Sequence, residues 1–271
     1  MTQLEDALRT LIAPLGWLSA LLGLGTPVWF LVAALGTKWG FFDWSFGLDW
    51  MTQDIGRRLL FACLVAGGVE AAAIAAHRFV AGRFKGVVMS PVIAVLCGAI
   101  GMGWMLYVDN VRRDTPAILD VTTDTTDVPN FTPAFAMRRD PSDLSLAYDG
   151  KLTLDGEPMA EAQAEAYPSL GSVQIAAAPD VVFRRAMDYA REEGWRINTA
   201  SESAGMFEAG AESLWFGFRD DIVVRVRALE DGGSQVDIRS LARQPVHDLG
   251  RNADRVHAFL AAMSDARGPG R

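Results

Sequence analysis

Cysteine is almost missing from this chain: there are two, Cys63 and Cys97, and both fall inside apolar stretches. That excludes a disulfide framework or a cysteine-based metal cluster, and it leaves the redox compartment unassigned. Histidine is nearly as scarce, with three residues spread along the chain, so no metal site and no cofactor are read from the sequence. Basic residues are in deficit from Val111 onward, where carboxylates outnumber arginines by nine (26 against 17) and Lys151 is the only lysine. Affinity for nucleic acid rests on basic side chains that neutralise phosphate, so no nucleic-acid partner is expected. An acidic surface is also a poor fit to lying flat on anionic lipid.

Charge is absent from the first long apolar run, roughly Leu15 to Leu35. Two more runs follow, from about Leu59 to Val80 and from about Val87 to Val108. Each approaches the roughly 20 apolar residues that cross a bilayer. A cleaved signal peptide is rejected because the first run is too long and is preceded by Glu5 and Asp6 beside a single Arg9. The sequence therefore predicts three organisational blocks. Residues 1–110 form a three-span transmembrane region in contact with lipid, 111–170 an extended Pro/Thr/Asp-rich strap, and 171–265 an α+β core. The loop with Arg78, Arg83 and Lys85 holds no acid and points to the cytoplasmic side. Lys38, Arg57, Arg58, Arg112 and Arg113 weigh against it, but the compact basic loop is taken as the better guide. The expected placement is a multi-pass inner-membrane protein with its head in the periplasm.

Two features of the apolar region stand out. The first connection alternates Trp39, Phe41, Phe42, Trp44, Phe46 and Trp50 with Gly and Asp, the composition of an aromatic belt at a headgroup boundary. Glu70 sits mid-span among small residues, Gly67, Gly68, Ala71, Ala72 and Ala73, with Gly98, Gly101 and Gly103 as candidates for the facing helix. An ionisable group there is costly, and the structural reading is a protonated carboxyl bonded to a neighbour such as Ser90.

Beyond the membrane region, Pro116, Pro129 and Pro133 predict an extended strap that wraps loosely. The ordered core is expected to begin near Val173. Asp180 is the expected N-cap of a helix through Glu193, with Val182, Phe183, Ala186, Tyr189 and Ala190 on one face. Strands are predicted over Trp195–Ser201, Met206–Ala211, Trp215–Phe218 leading into Asp221–Ala228, and Ser234–Ser240. Val224 and Val226 alternate with Arg225 and Arg227, as in a half-buried sheet. Asp231-Gly232-Gly233 is a hairpin turn, and Asn252–Met263 a closing helix. The order predicts an antiparallel sheet with helices packed on one face.

Several blocks carry a resemblance: Leu119-Asp120-Val121-Thr122-Thr123-Asp124, Val128-Pro129-Asn130-Phe131, Gly194-Trp195, Trp215-Phe216-Gly217-Phe218-Arg219-Asp220-Asp221, and Asp237-Ile238-Arg239-Ser240 with Arg243, Asp248, Asn252 and Arg255. Over residues 118–260 the chain resembles the family catalogued as domain of unknown function 1499. The resemblance implies a domain, often behind a membrane-spanning N-terminus in bacteria, and no mechanism. Ala242 stands where the family usually carries Ser.

Two sets of polar residues emerge from these blocks. Arg225, Arg227, Arg239, Arg243 and Arg255 are candidates for binding an anion or a partner's carboxylate. Asp120, Asp220, Asp221, Asp237, Asp248 and Asn252 are candidates for a structural network with those arginines, since guanidinium and carboxylate pair in bidentate fashion. His247-Asp248 lacks a serine nucleophile elbow, and no catalytic residue is assigned. The reading is a non-enzymatic envelope protein that anchors a head and engages a protein partner. The alternatives are a sensor for a lipid-like or anionic small molecule, and an enzyme using Asp220 or Asp221 as general base.

Overall fold

The structure is a computed structural model, and it describes residues 2–81 and 88–264. Arg83, Lys85 and Val87 of the basic loop and the tail beyond Ser264 lie outside the described residues, as does the side chain of Glu5. The chain divides into two compact units, one centred on Met1–Asn110 and one on Val111–Ser213 with Phe218–Arg271.

The first unit contains α1 (Thr2–Lys38), a π-helical segment Phe46–Gly56, α2 (Arg57–Ala81) and α3 (Met89–Asp114). Three helical stretches are long and apolar enough to cross a membrane: Asp6–Lys38, Phe46–Ala81 and Met89–Asp114. A helix satisfies its backbone within the segment, which is what hydrocarbon demands. The aromatic connection is not the open loop expected from sequence. From Phe46 it winds into the π-helical segment that runs on into α2, and Phe46 stacks on Trp50 at 4.9 Å between ring centroids. Trp29 of α1 donates from Nε1 to the Met51 carbonyl at 2.9 Å, which ties the segment down.

Small residues set the helix spacing. A Cβ on Gly98 would lie 2.7 Å from the Leu60 carbonyl oxygen, and one on Gly67 would lie 2.9 Å from that of Pro91. Gly101 likewise accommodates Leu60, and Gly23 of α1 sits against Ala94. Gly103 and Gly68 have open space instead, so they are not part of this contact surface.

The second unit is a six-stranded antiparallel sheet in the order β1-β6-β5-β4-β3, with β2 also on β6. Its strands are β1 (Asp120–Thr122), β2 (Val173–Ile175), β3 (Arg196–Ser201), β4 (Met206–Glu212), β5 (Arg219–Ala228) and β6 (Ser234–Ala242). The helices α6 (Pro179–Glu192) and α7 (Arg251–Ser264) cover one face; α4 (Pro133–Ala136) and α5 (Met159–Ala166) are short turns in the strap. The covered face is filled by Phe207, Ile222, Val224, Val236 and Ile238 from the sheet, against Phe183, Tyr189, Phe259 and Trp195. Rings meet edge-on or stacked, with Trp195 and Phe259 6.1 Å apart and Tyr189 and Phe259 5.5 Å apart. Such pairs add to the energy of apolar burial itself.

Three sequence expectations change here. The strap is not a loose wrap: Asp120–Thr122 is a strand paired with Arg239–Leu241, and Ile118, Leu119 and Val121 are buried. Pro179 takes the first turn of α6, so Ala178 is the N-cap and Asp180 lies inside the helix. Trp215–Phe218 is the β4–β5 connection rather than strand, closed by Ser213 N donating to the Phe218 carbonyl at 2.8 Å, with Gly217 at φ +68°.

Candidate functional site

A strand sends successive side chains to opposite faces. Asp220 and Asp221, adjacent in sequence, therefore belong to different networks. Asp220, Ile222, Val224 and Val226 face α6 and α7. Asp221, Val223, Arg225 and Arg227 face the strap, as do Asp237 and Arg239 of β6, which lie opposite Arg225 and Val223.

The strap face holds three ionic clusters. In the first, Arg239 and Asp120 are both fully buried. Arg239 Nε donates to Asp120 Oδ1 at 2.8 Å and Nη2 to Oδ2 at 2.7 Å, a bidentate pair. Nη2 also donates to the Leu146 carbonyl at 2.8 Å. The rings of Phe131 and Tyr148 lie 5.6 Å and 5.3 Å from the guanidinium carbon, within cation–π range. Lys151 Nζ donates to Asp120 Oδ2 and to the Ser145 carbonyl, each at 2.6 Å. Burial lowers the Lys151 ammonium pKa, against the pull of Asp120. Burial, with the Asp120 charge behind it, pushes the Tyr148 phenol up to about 12.

In the second cluster Asp221 accepts at Oδ1 from Arg243 Nε and Nη2, at 2.9 Å and 2.7 Å. Arg139 Nε lies 2.8 Å from its other oxygen. Burial raises the Asp221 carboxyl above the ordinary aspartate range, although both guanidiniums pull the other way. In the third, buried Asp237 accepts from Arg225 and Arg227, each Nη2 at 3.1 Å, and from the Ser172 hydroxyl. Asp127 bridges the same two arginines from the surface; its hydrogen bond from Arg227 holds its carboxyl below the usual range.

The helix face holds the corner between β6 and α7. Asp220 accepts from Arg251 Nε and Nη2 at 3.0 Å and 2.9 Å and from Arg255 Nη2 at 2.8 Å. Arg255 Nη1 reaches Ser240 Oγ and Asn252 Oδ1, both at 2.8 Å, and the Ser240 hydroxyl donates to Asn252 Oδ1 at 2.6 Å. Asp248 accepts from the Asn252 backbone and side-chain amides at 2.8 Å each and from Gly250 N at 3.0 Å, which fixes the start of α7. His247 accepts at Nδ1 from Leu249 N, so Nε2 carries the proton toward the Thr115 carbonyl, 3.1 Å away. That ring is a structural strut for the corner, not a partner to Asp248.

All eleven head residues singled out from sequence thus fall into four carboxylate-centred groups on two faces. Arg139, Asp143, Asp124, Asp127 and Arg251 carry no periodic signal and were not anticipated. Lys151 had one: it is the only lysine of the acidic half. In the membrane unit, Ser90 Oγ donates to Glu70 Oε1 at 2.6 Å. Glu70 Oε2 and Ser19 Oγ are buried with no hydrogen-bond partner among the described residues. Among the described residues no group of three or more His, Cys, Asp or Glu is placed to hold a metal ion.

A protein family described as "Protein of unknown function (DUF1499)" matches residues 120–263, over half of the sequence, and the chain belongs to that family. No curated protein matches the chain.

Proposed function

We propose that this DUF1499 chain is a non-enzymatic cell-envelope protein whose three apolar helices span the inner membrane and whose head presents a rigid surface to a protein partner. One observation carries the reading. Asp120, Asp220, Asp221 and Asp237 are each at most 1% exposed and each is already held by guanidinium groups. A general base must come within hydrogen-bond reach of the proton it removes, and sealed carboxylates have no such access. The periplasmic placement follows from the basic residues between the second and third spans, of which Arg78 closes α2.

The test is photo-crosslinking of the full-length chain in native membranes, with the probe walked over the exposed surface of the head. A protein adduct formed from a defined patch, and lost when that patch is altered, supports the reading. Uniform weak labelling of lipid and bulk protein from every position overturns it.

A second reading has its own observation. The Arg227 side chain is 40% exposed and its outer partner Asp127 is 61% exposed. An anionic ligand, or a carboxylate of the partner, would replace Asp127 between Arg225 and Arg227. Isothermal titration with short acidic peptides and inorganic phosphate, on wild type and Arg227→Ala, separates the two.

A further inference from the structure

The sheet has two ends with different surroundings. At one end lie the start of β1 (Asp120 opposite Leu241), the end of β6 (Ala242 opposite Asp220) and the β4–β5 junction (Glu212 opposite Arg219). The chain arrives at this same end: α3 finishes at Asp114, and β1 begins at Asp120. Six residue steps span at most about 20 Å even when fully extended. The connection is shorter than that limit, since Pro116–Ile118 turns back on itself and Ala117, Ile118 and Leu119 are buried.

Projecting from this end is the β4–β5 loop, Leu214–Gly217. It is held closed, with Phe218 N donating to Ser213 Oγ at 2.9 Å in addition to the backbone bond between the same residues. No charge occurs from Ser213 to Phe218. At its tip Leu214 is 73% exposed and Trp215 is 56% exposed. A bulky aliphatic beside a tryptophan on a pre-formed uncharged loop is the chemistry that favours the headgroup–acyl boundary, where the indole ring stays apolar on its body and polar at its N–H.

We propose that the Leu214–Trp215 tip inserts into the lipid–water interface of the membrane that holds α3. The inference rests on the anchoring reading above. With the covalent connection at Asp114–Asp120 as one point and the tip as a second, the head gains two points of attachment to the membrane surface. Its acidic remainder stays off anionic headgroups, because only an uncharged loop is committed to lipid.

The test uses the full-length chain with Cys63→Ala and Cys97→Ala, reconstituted in nanodiscs of phosphatidylethanolamine and phosphatidylglycerol. A nitroxide is attached in turn at Leu214→Cys, Trp215→Cys, Val181→Cys and Leu21→Cys. Val181 is exposed in the first turns of α6, which follows β2 at the opposite end of the sheet, where Ile175 lies opposite Ser234. Leu21 is exposed on α1. The readout is relaxation by oxygen, which concentrates in lipid, against a water-soluble nickel complex. The oxygen-to-nickel ratio at both tip positions is expected between those of Leu21 and Val181, several-fold above Val181. Ratios at 214 and 215 matching Val181, with Leu21 still lipid-like, overturn the insertion and leave the anchor standing. Low accessibility to both reagents at the tip, the mark of a protein contact, overturns it as well. A water-like Leu21 sinks the anchoring reading itself.

Discussion

The two units treat a buried polar group in opposite ways. In the head, Arg239 is surrounded: two bonds to Asp120, one to the Leu146 carbonyl, two aromatic faces, and Lys151 on the far side of the carboxylate. In the helical unit, Glu70 is as deeply buried but has one hydroxyl, that of Ser90, on one oxygen. A charge removed from water needs a full set of partners; a neutral carboxyl needs far less. The head is therefore built from ions, and the helical unit keeps its acid protonated, with one bond sufficient.

The sharpest way to break this contrast is Arg239→Ala. It strands Asp120 in the interior beside Lys151 alone, and the head should lose about 3–5 kcal/mol. Thermal denaturation of the purified full-length protein, followed by head-specific near-ultraviolet dichroism, checks this; an unchanged midpoint would mean the pair is not buried in solution.

Asp221 tests whether burial or attraction governs a sealed carboxylate. Burial raises its pKa. Below the ordinary aspartate value of about 3.9 both folded and unfolded forms are protonated and the group contributes nothing. As pH climbs through the raised folded value, ionisation favours the unfolded chain and the wild type loses ground. The stability gap between wild type and Asp221→Asn should therefore narrow as pH climbs from that value to neutrality, read from melts at a series of pH values. A widening gap would show that Arg243 and Arg139 outweigh desolvation.

In the helical unit the large effects should come from volume, not charge. Gly67→Val places a Cβ 2.8 Å from Val95 Cγ2 and 2.9 Å from the Pro91 carbonyl oxygen. Overpacking of this kind costs about 1–3 kcal/mol, measurable as earlier unfolding in a denaturing-detergent titration. Glu70→Gln should be the mildest change, about 0.6 kcal/mol or less, because interhelical hydrogen bonds in membranes average near that value. A larger loss in the same titration would mean the carboxyl is ionised.

Some of this was legible beforehand and some was not, for physical reasons. The alternation of Val224 and Val226 with Arg225 and Arg227 marks β5, and Asp231-Gly232-Gly233 marks the turn into β6, where Gly232 has φ +84°. Ser90 could be named as the partner of Glu70 because antiparallel helices place both near the same end of their spans. Strand β1 could not be found: three residues, Asp-Val-Thr, have no period to read, and their partners lie at the far end of the sequence. The aromatic run Trp215–Phe218 has strand composition, yet Gly217 with positive φ closes it into a loop. Adjacency of Asp220 and Asp221 suggested one network, although the two-residue repeat of a strand already required two. The strap partners Arg139 and Lys151 sit in irregular backbone, where no pattern announces which way a side chain turns.

Asp120 meets Arg239 across 119 residues of intervening chain. At synthesis rates of about 5–20 residues per second, the carboxylate waits about 6–24 s for its guanidinium to be made. Until β6 exists, β1 has no ladder to join and the hydrophobic Ile118-Leu119-Val121 stretch has nothing to hide against. The head closes from its last strand backward, so truncation anywhere before Ala242 leaves not a smaller domain but an open one, and proteolysis of nascent or clipped chains should find the strap first.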